Sequence, residues 1–283
     1  MGRYNCIMAR RKRKQTKKRT RKQRRGGAGR LPGIAMPVLL VAAAILIFAV
    51  WRWYGNASPP DSGKPKIVFV LDDIGHHRDF ESELVALGSD VTYAVLPHLR
   101  HSRHFADLSR KTGAEVILHL PLETLDGTIP GPGLITRAMP RDQVIDVLTR
   151  NLDSVPRHVG VNNHMGSRGS ADVSLMRTIL GELENRNLFY LDSQTTPDTA
   201  AAVAGRELGI PVLRRDVFLD NVDARGPIRN QVERLANTSM KQGYAVGIGH
   251  YRRNTLEVLM EAIPRLKQEG FEITTLAKLA KKR

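Results

Sequence analysis

The strongest constraint on this chain is an alternation. Short β-rich runs, IVFVLD (67–72), VTYAVLP (91–97), AEVILHL (114–120), VGVNN (159–163), LFYLD (188–192), IPVLRRDVFLD (210–220), AVGIGH (245–250) and EITTL (272–276), are separated by amphipathic stretches. In 172–186, Val173, Met176, Ile179, Leu180 and Leu183 recur at helical spacing. Pro140, at the start of RDQVIDVLTRNL, suits the first turn of a helix. Regular βα alternation over residues 66–283 predicts an α/β fold, a parallel sheet or a (β/α) barrel, with function gathered at the carboxyl ends of the strands.

Those ends are chemically rich. They carry Asp72 and Asp73, His98, His119 with Glu123, Asn162, Asn163 and His164, Asp192, Asp220 and His250. A strand built for burial that ends on paired carboxylates needs a cation, a hydrogen-bond network or open water beside it. Because side chains alternate along a strand, Asp72 and Asp73 are expected to diverge, one free to ligate a metal and the other to take a proton. Capping of the next segment is the plainer use of either aspartate. His164 lies between two amides and Gly166, a glycine that lets backbone approach a ligand; the amides suit substrate contact or support of a ligand. His250, flanked by glycine, can donate a proton near neutrality, since an unperturbed imidazole titrates at about 6.5. Asp192 and Asp220 both qualify to hold a histidine in its working tautomer. His98, His101 and His104 are spaced for one helix face, where a solvated surface explains them as well as a metal does.

The charge is segregated. Fourteen of the 44 Lys and Arg fall in residues 1–30 with no acid among them, which leaves 30 basic against 28 acidic residues in the remainder. Residues 1–30 are thus expected to be a disordered basic tail, attractive to anionic lipid headgroups; with one aromatic, Tyr4, and no folded motif, they give no support for specific nucleic-acid recognition. Leu31 to Trp51 has no charge and ends on Trp51, with Trp53 and Tyr54 just beyond it. At ~1.5 Å per helical residue this stretch covers the ~30 Å hydrocarbon core. Residues 31–54 are therefore expected to be a single transmembrane signal anchor, with the tail in the cytoplasm and the rest periplasmic or extracellular. A cleaved signal peptide ending near Ala57 is the rival. Residues 55–65 form a Pro/Ser/Gly linker. The one cysteine is Cys6, so a metal site in 66–283 must use His, Asp, Glu or Asn.

In order, VLDDIG, VTYAVLPH, EVILHLPLE, GVNNHMGS, FYLDS, VFLD and IGH resemble the divergent polysaccharide deacetylase family, a branch of the NodB-type carbohydrate esterase superfamily. The resemblance covers nearly all of 66–283. It implies a distorted (β/α) barrel and a divalent metal, typically zinc, used to remove acetyl groups from N-acetylated glycans. It also implies Asp72 as base, His250 as acid, and Asp73, His119 and His164 as metal ligands. Glu123 stands where ordinary members have a second histidine, and Tyr251 where proline usually follows the acid. For the arginine that orients the base, Arg168 is the candidate. A non-catalytic glycan-binding or envelope-assembly module on the same fold is the alternative.

Overall fold

Hydrophobic and β-branched residues crowd the stretch that forms β1 (Lys66–Ile74), an interior strand paired on both sides. The computed structural model describes residues 63–281; the expectations for residues 1–30, 31–54 and most of the linker lie outside the described residues. Among the described residues no helix is long and apolar enough to cross a membrane. After β1 come α1 (Glu81–Leu87), β2 (Thr92–Val95), α2 (Ser102–Thr112), β3 (Glu115–Leu122), α3 (Arg141–Ser154), β4 (Gly160–Met165), α4 (Val173–Asn185), β5 (Phe189–Asp192) and α5 (Ala201–Leu208). The order continues with β6 (Val212–Arg214), β7 (Val217–Phe218), α6 (Arg225–Gln242), β8 (Tyr244–His250), α7 (Arg253–Gln268), β9 (Glu272–Ile273) and α8 (Leu276–Ala280).

All nine strands join one parallel sheet in the order β6-β5-β4-β3-β2-β1-β8-β7, with β9 against the start of β1. The run 210–220, expected as one strand, is two, and they occupy opposite ends of the order. Only Arg215 and Asp216 separate them. Arg215 N–H donates to the Asp192 carbonyl on β5 at 3.0 Å, and Asp216 N–H to the Val246 carbonyl on β8 at 2.9 Å. The sheet is thus curled, and its two edges are bridged by a pair of residues rather than by a strand ladder. One straight strand cannot serve both edges, which is why the run breaks there.

Each strand divides its side chains between two apolar layers. Ile67, Phe69 and Leu71 of β1 pack outward among the helices, with Leu118, Leu120, Val161 and Tyr190. Val68 and Val70 point into the curl with Ala94, Ile117, Leu191, Val246 and Ile248, closed off at the amino end of the strands by Leu276, Leu279 and Ala280 of α8. Strands covered on both faces read as near-continuous apolar runs, as these do. The alternation extends to the strand ends, and it decides which polar residues meet.

Candidate active site

Asp72, His119, Asn162, His164 and His250 share the inward parity of Val70, Ile117 and Ile248. Register then sets them side by side. Asp72 pairs with His250 across β1 and β8, and His119 with Asn162 across β3 and β4.

Asp73 has the opposite parity and would fall among Phe69 and Leu71 in the helix-facing layer, where a carboxylate has no partner. The strand breaks its pleat to prevent this. Asp73 takes a left-handed φ of 63°, and the pairing of β1 with β2 is irregular between Leu71 and Ile74. Ile74 takes the outward place, fully buried, and Asp73 turns back to the mouth of the curl. The expected divergence of the two aspartates is therefore corrected: both approach His119 Nε2, Asp72 Oδ2 at 3.6 Å and Asp73 Oδ1 at 3.3 Å. Positive φ values recur just past other strand ends or within them, at His98 (56°), Met165 (52°) and Gln194 (53°), so backbone strain collects at this mouth.

Asp73, His119 and His164 each offer one atom to a common point, all within 4.8 Å of one another. His164 Nδ1 stands 3.1 Å from Asp73 Oδ1 and 3.1 Å from His119 Nε2. Asp73 Oδ1 is buried and receives no hydrogen bond. Three electron-rich atoms facing one another, one of them an unsatisfied carboxylate oxygen, fit a divalent cation. Electrostatics agree. Burial opposes ionisation of Asp73, yet the two imidazoles hold its carboxyl far below the usual range. Burial works against a charged His119 too, and Asp72 and Asp73 outweigh it, raising its pKa; His164 is lowered, by burial and by its neighbour His119. The cluster demands positive charge and cannot place a proton on every ring.

Asp72 and His250 flank this point. Burial raises the Asp72 pKa, against the pull of His119, and Asn162 Nδ2 donates to its Oδ1 at 2.9 Å. Of the two aspartates proposed to hold a histidine, Asp220 does so. Its Oδ1 accepts from His250 Nδ1 at 2.9 Å, and its Oδ2 from the His250 N–H and Thr255 Oγ1, both at 2.7 Å. Gly249 makes room: a Cβ there would come within 2.9 Å of Thr255 Cγ2. His250 Nε2 is left facing Asp73 Oδ2 at 3.7 Å. Asp192 has the outward parity and instead accepts from the backbone and side chain of Gln194, both at 2.9 Å.

Other expected residues are placed differently. Asn163 points outward, donating to the Met165 carbonyl and Thr195 Oγ1 and accepting from Tyr190 OH and Ser193 N–H. It builds the turn that carries His164 and has no capacity left for substrate. Glu123 turns away from the three convergent atoms. Its Oε2 accepts from the Arg137 N–H at 2.9 Å, its Oε1 lies 3.5 Å from Arg168 Nε, and its carbonyl accepts from the N–H groups of Arg168 and Gly169. Arg168 spends its guanidinium on the Thr124 and Leu125 carbonyls as well, so it does not orient Asp72. His98 bonds Asn151 and His104 bonds Glu81, so the three spaced histidines form no metal cluster. Tyr251 is 3% exposed, stacks on His77 at 5.1 Å and accepts from the Phe80 N–H, while its own N–H donates to the Asp72 carbonyl.

Two further residues support the site: Ser193, which the sequence places at a strand end without a role, and Arg215, which it does not single out. Ser193 Oγ accepts from Asn162 and donates to the Asn163 carbonyl. Arg215, in the seam, clamps the Ser193 and Gln194 carbonyls at 2.7 and 3.0 Å and lies over the Phe218 ring. Burial depresses its pKa while the charges of Asp72 and Asp192 support it, so it is a partly buried cation within electrostatic reach of Asp72. Parity signals Ser193, one residue beyond outward Asp192; nothing local signals Arg215, because its place depends on how the sheet closes.

Similarity to other proteins bears on the family and the fold. The chain is 32% identical over 210 residues to the uncharacterized protein YibQ of Escherichia coli K12, covering 74% of this chain and 65% of that protein, so it spans just under two thirds of that relative's length. It is 28% identical over 204 residues to an uncharacterized protein of Haemophilus influenzae, covering 72% of this chain and 73% of that one. A crystal structure of an uncharacterized protein from Agrobacterium tumefaciens C58 has the same fold, with a TM-score of 0.74 at 21% identity over 78% of this chain and 92% of that one. Residues 69–280 match the family described as divergent polysaccharide deacetylase, and the chain belongs to that family.

Proposed function

We propose that the protein is a metal-dependent deacetylase that hydrolyses N-acetyl groups of an envelope or extracellular glycan. The observation that carries this reading is the convergence of Asp73, His119 and His164 on one point, with Asp72 and His250 on either side. Family membership supports the hydrolase chemistry. A divalent ion held by Asp73, His119 and His164, with zinc the natural choice for such a donor set, would polarise the acetamide carbonyl and acidify water.

The chain's own groups then divide the proton work. Asp72 Oδ1 is tied to Asn162, which leaves Oδ2 to take the proton of the water whose oxygen adds to the carbonyl carbon. His250 carries its Nδ1 proton toward Asp220 and presents Nε2 to the site, where it delivers a proton to the amine nitrogen as the C–N bond breaks. Acetate and a free amine result. Asp220 keeps His250 charged enough to act as the acid: burial lowers the His250 pKa, and the bond to Asp220 more than restores it.

The uncharged stretch 31–51 and the basic residues before it motivate a membrane anchor, with this domain on the far side of the cytoplasmic membrane and anionic lipid beside the tail. The deciding experiment is acetate release from N-acetylglucosamine oligomers by the purified chain, before and after chelation and zinc re-addition. Zinc-dependent release is the expected result. A zinc-loaded chain inert on every acetylated glycan, together with full cellular rescue by Asp72→Asn, would instead identify a non-catalytic glycan-binding module.

A further inference from the structure

Asn162 is 0% exposed, so no substrate reaches it, yet it touches both halves of the site. Its Oδ1 lies 2.9 Å from His119 Nδ1, and its Nδ2 donates to Asp72 Oδ1 at 2.9 Å and to Ser193 Oγ at 3.2 Å. An ionised carboxylate can only accept, so the amide must present its NH₂ to Asp72 and its oxygen to His119. His119 Nδ1 must then carry a proton, which leaves Nε2 as the ring nitrogen able to turn a lone pair toward a cation shared with Asp73 and His164. We infer that Asn162 is the positioning residue that couples the metal ligand His119 to the base Asp72: one side chain fixes which ring nitrogen meets the cation and which carboxylate oxygen meets the water. The inference rests on the deacetylase reading above.

An amide does here what no carboxylate could. Histidine ligands are commonly steadied by a carboxylate at the far ring nitrogen. A carboxylate at position 162 would serve His119 equally well but would set a like charge against Asp72 Oδ1, and a proton shared between the two would cost Asp72 its capacity as a base. Only a group with an acceptor on one side and a donor on the other serves both neighbours. Strand geometry supplies it: Asn162 is the register partner of His119, and its neighbour Asn163, facing outward, is free to build the His164 turn.

The two roles can be separated in the full-length chain. Asn162→Asp keeps the oxygen facing His119 and loses the donor to Asp72; Asn162→Ala loses both. Zinc titration of the metal-free protein should show Asn162→Asp within about threefold of the wild type, and Asn162→Ala weaker by about 10- to 100-fold. Acetate release should fall about 100-fold in kcat for Asn162→Asp with KM unchanged. If Asn162→Ala does not fold, Asn162→Asp with the His119 Nδ1–H imidazole signal in nitrogen-15 NMR of the zinc-loaded chain decides: the signal should persist and exchange slowly. Wild-type zinc affinity in Asn162→Ala, equal weakening in both variants, or undiminished kcat in Asn162→Asp overturns the coupling while leaving the deacetylase reading intact. A wild type that binds no zinc overturns both.

Discussion

Asp73 and Glu115 are both partly buried carboxylates, at opposite ends of the sheet. Glu115, at the start of β3, accepts from Thr92 Oγ1 at 3.0 Å and from the N–H groups of Leu276 and Ala277 at 3.0 and 2.9 Å. It pins α8 beneath the curl. Burial still raises its pKa, against those donors. Asp73, near the end of β1, meets two imidazole nitrogens and receives no hydrogen bond at Oδ1. Burial of a charge therefore does not mark function. What marks it is whether the surrounding groups bring protons or lone pairs. A carboxylate met by donors is a fastening, and one met by other acceptors is waiting for a cation.

The sharpest way to break this contrast is to remove each carboxylate in turn. Asp73→Ala should abolish zinc binding and lower acetate release by at least about 10³-fold, because the cation loses its only anionic ligand. The metal-free chain should lose little stability, since the imidazole contacts that favour the ionised carboxylate are offset by one unsatisfied buried oxygen. Glu115→Ala should do the reverse, costing about 2–3 kcal/mol by leaving two N–H groups and a hydroxyl unpaired. Its zinc affinity, measured well below the melting transition, should be unchanged. Paired melting curves and zinc titrations check both. An Asp73→Ala chain destabilised as much as Glu115→Ala, or a zinc-deficient Glu115→Ala, would end the distinction.

Much of this was readable from the chain, and alternation explains how much. Parallel sheet architecture and a polar mouth follow from βα spacing and from strands that end on Asp, His and Asn. Parity separates the residues that meet from those that do not. Asp72, His119, Asn162, His164 and His250 fall on one side, and Asn163 and Asp192 on the other. The same rule applied to Asp73 gives the wrong face. Its correct face depends on a bulge, a choice settled by the cost of burying a carboxylate against Phe69 and Leu71 rather than by local propensity. Arg215 was beyond reach, because the seam it occupies exists only once β6 and β7 part to opposite edges.

Asp220 sharpens the comparison, being met by donors as Glu115 is while standing in the site as Asp73 does. Its donors are His250 and Thr255, so its charge is spent on the acid. Burial tends to raise the Asp220 pKa, and the His250 contact lowers it overall; His250 is correspondingly raised. In the proposed reaction the protonated imidazole is the acid, so turnover is expected to fall as pH rises through the His250 pKa. Asp220→Asn removes the largest influence holding that pKa up. The basic limb of the kcat profile should move to lower pH, with zinc affinity unaltered and kcat at the optimum reduced about tenfold. An unmoved basic limb would mean that another group donates the proton.

Glu123 gives the smallest effect and the most discriminating one. The family resemblance sets it where a second metal-binding histidine is expected, and that alone would make it a ligand. Its surroundings say otherwise: the Arg137 N–H and the Arg168 guanidinium face it, which makes it a donor-met carboxylate like Glu115. Arg168 is partly exposed and 3.5 Å away, and such pairs contribute about 0–1 kcal/mol, so little is lost when the charge goes. Glu123→Gln keeps an oxygen for the Arg137 N–H. It should leave zinc affinity within about twofold and kcat within about threefold of wild type, with the melting temperature lower by no more than about 3 °C. Loss of zinc comparable to that of Asp73→Ala would show that this side chain swings into the site when the cation arrives. Donor-met and acceptor-met carboxylates would then be interchangeable states of one residue rather than two kinds of site.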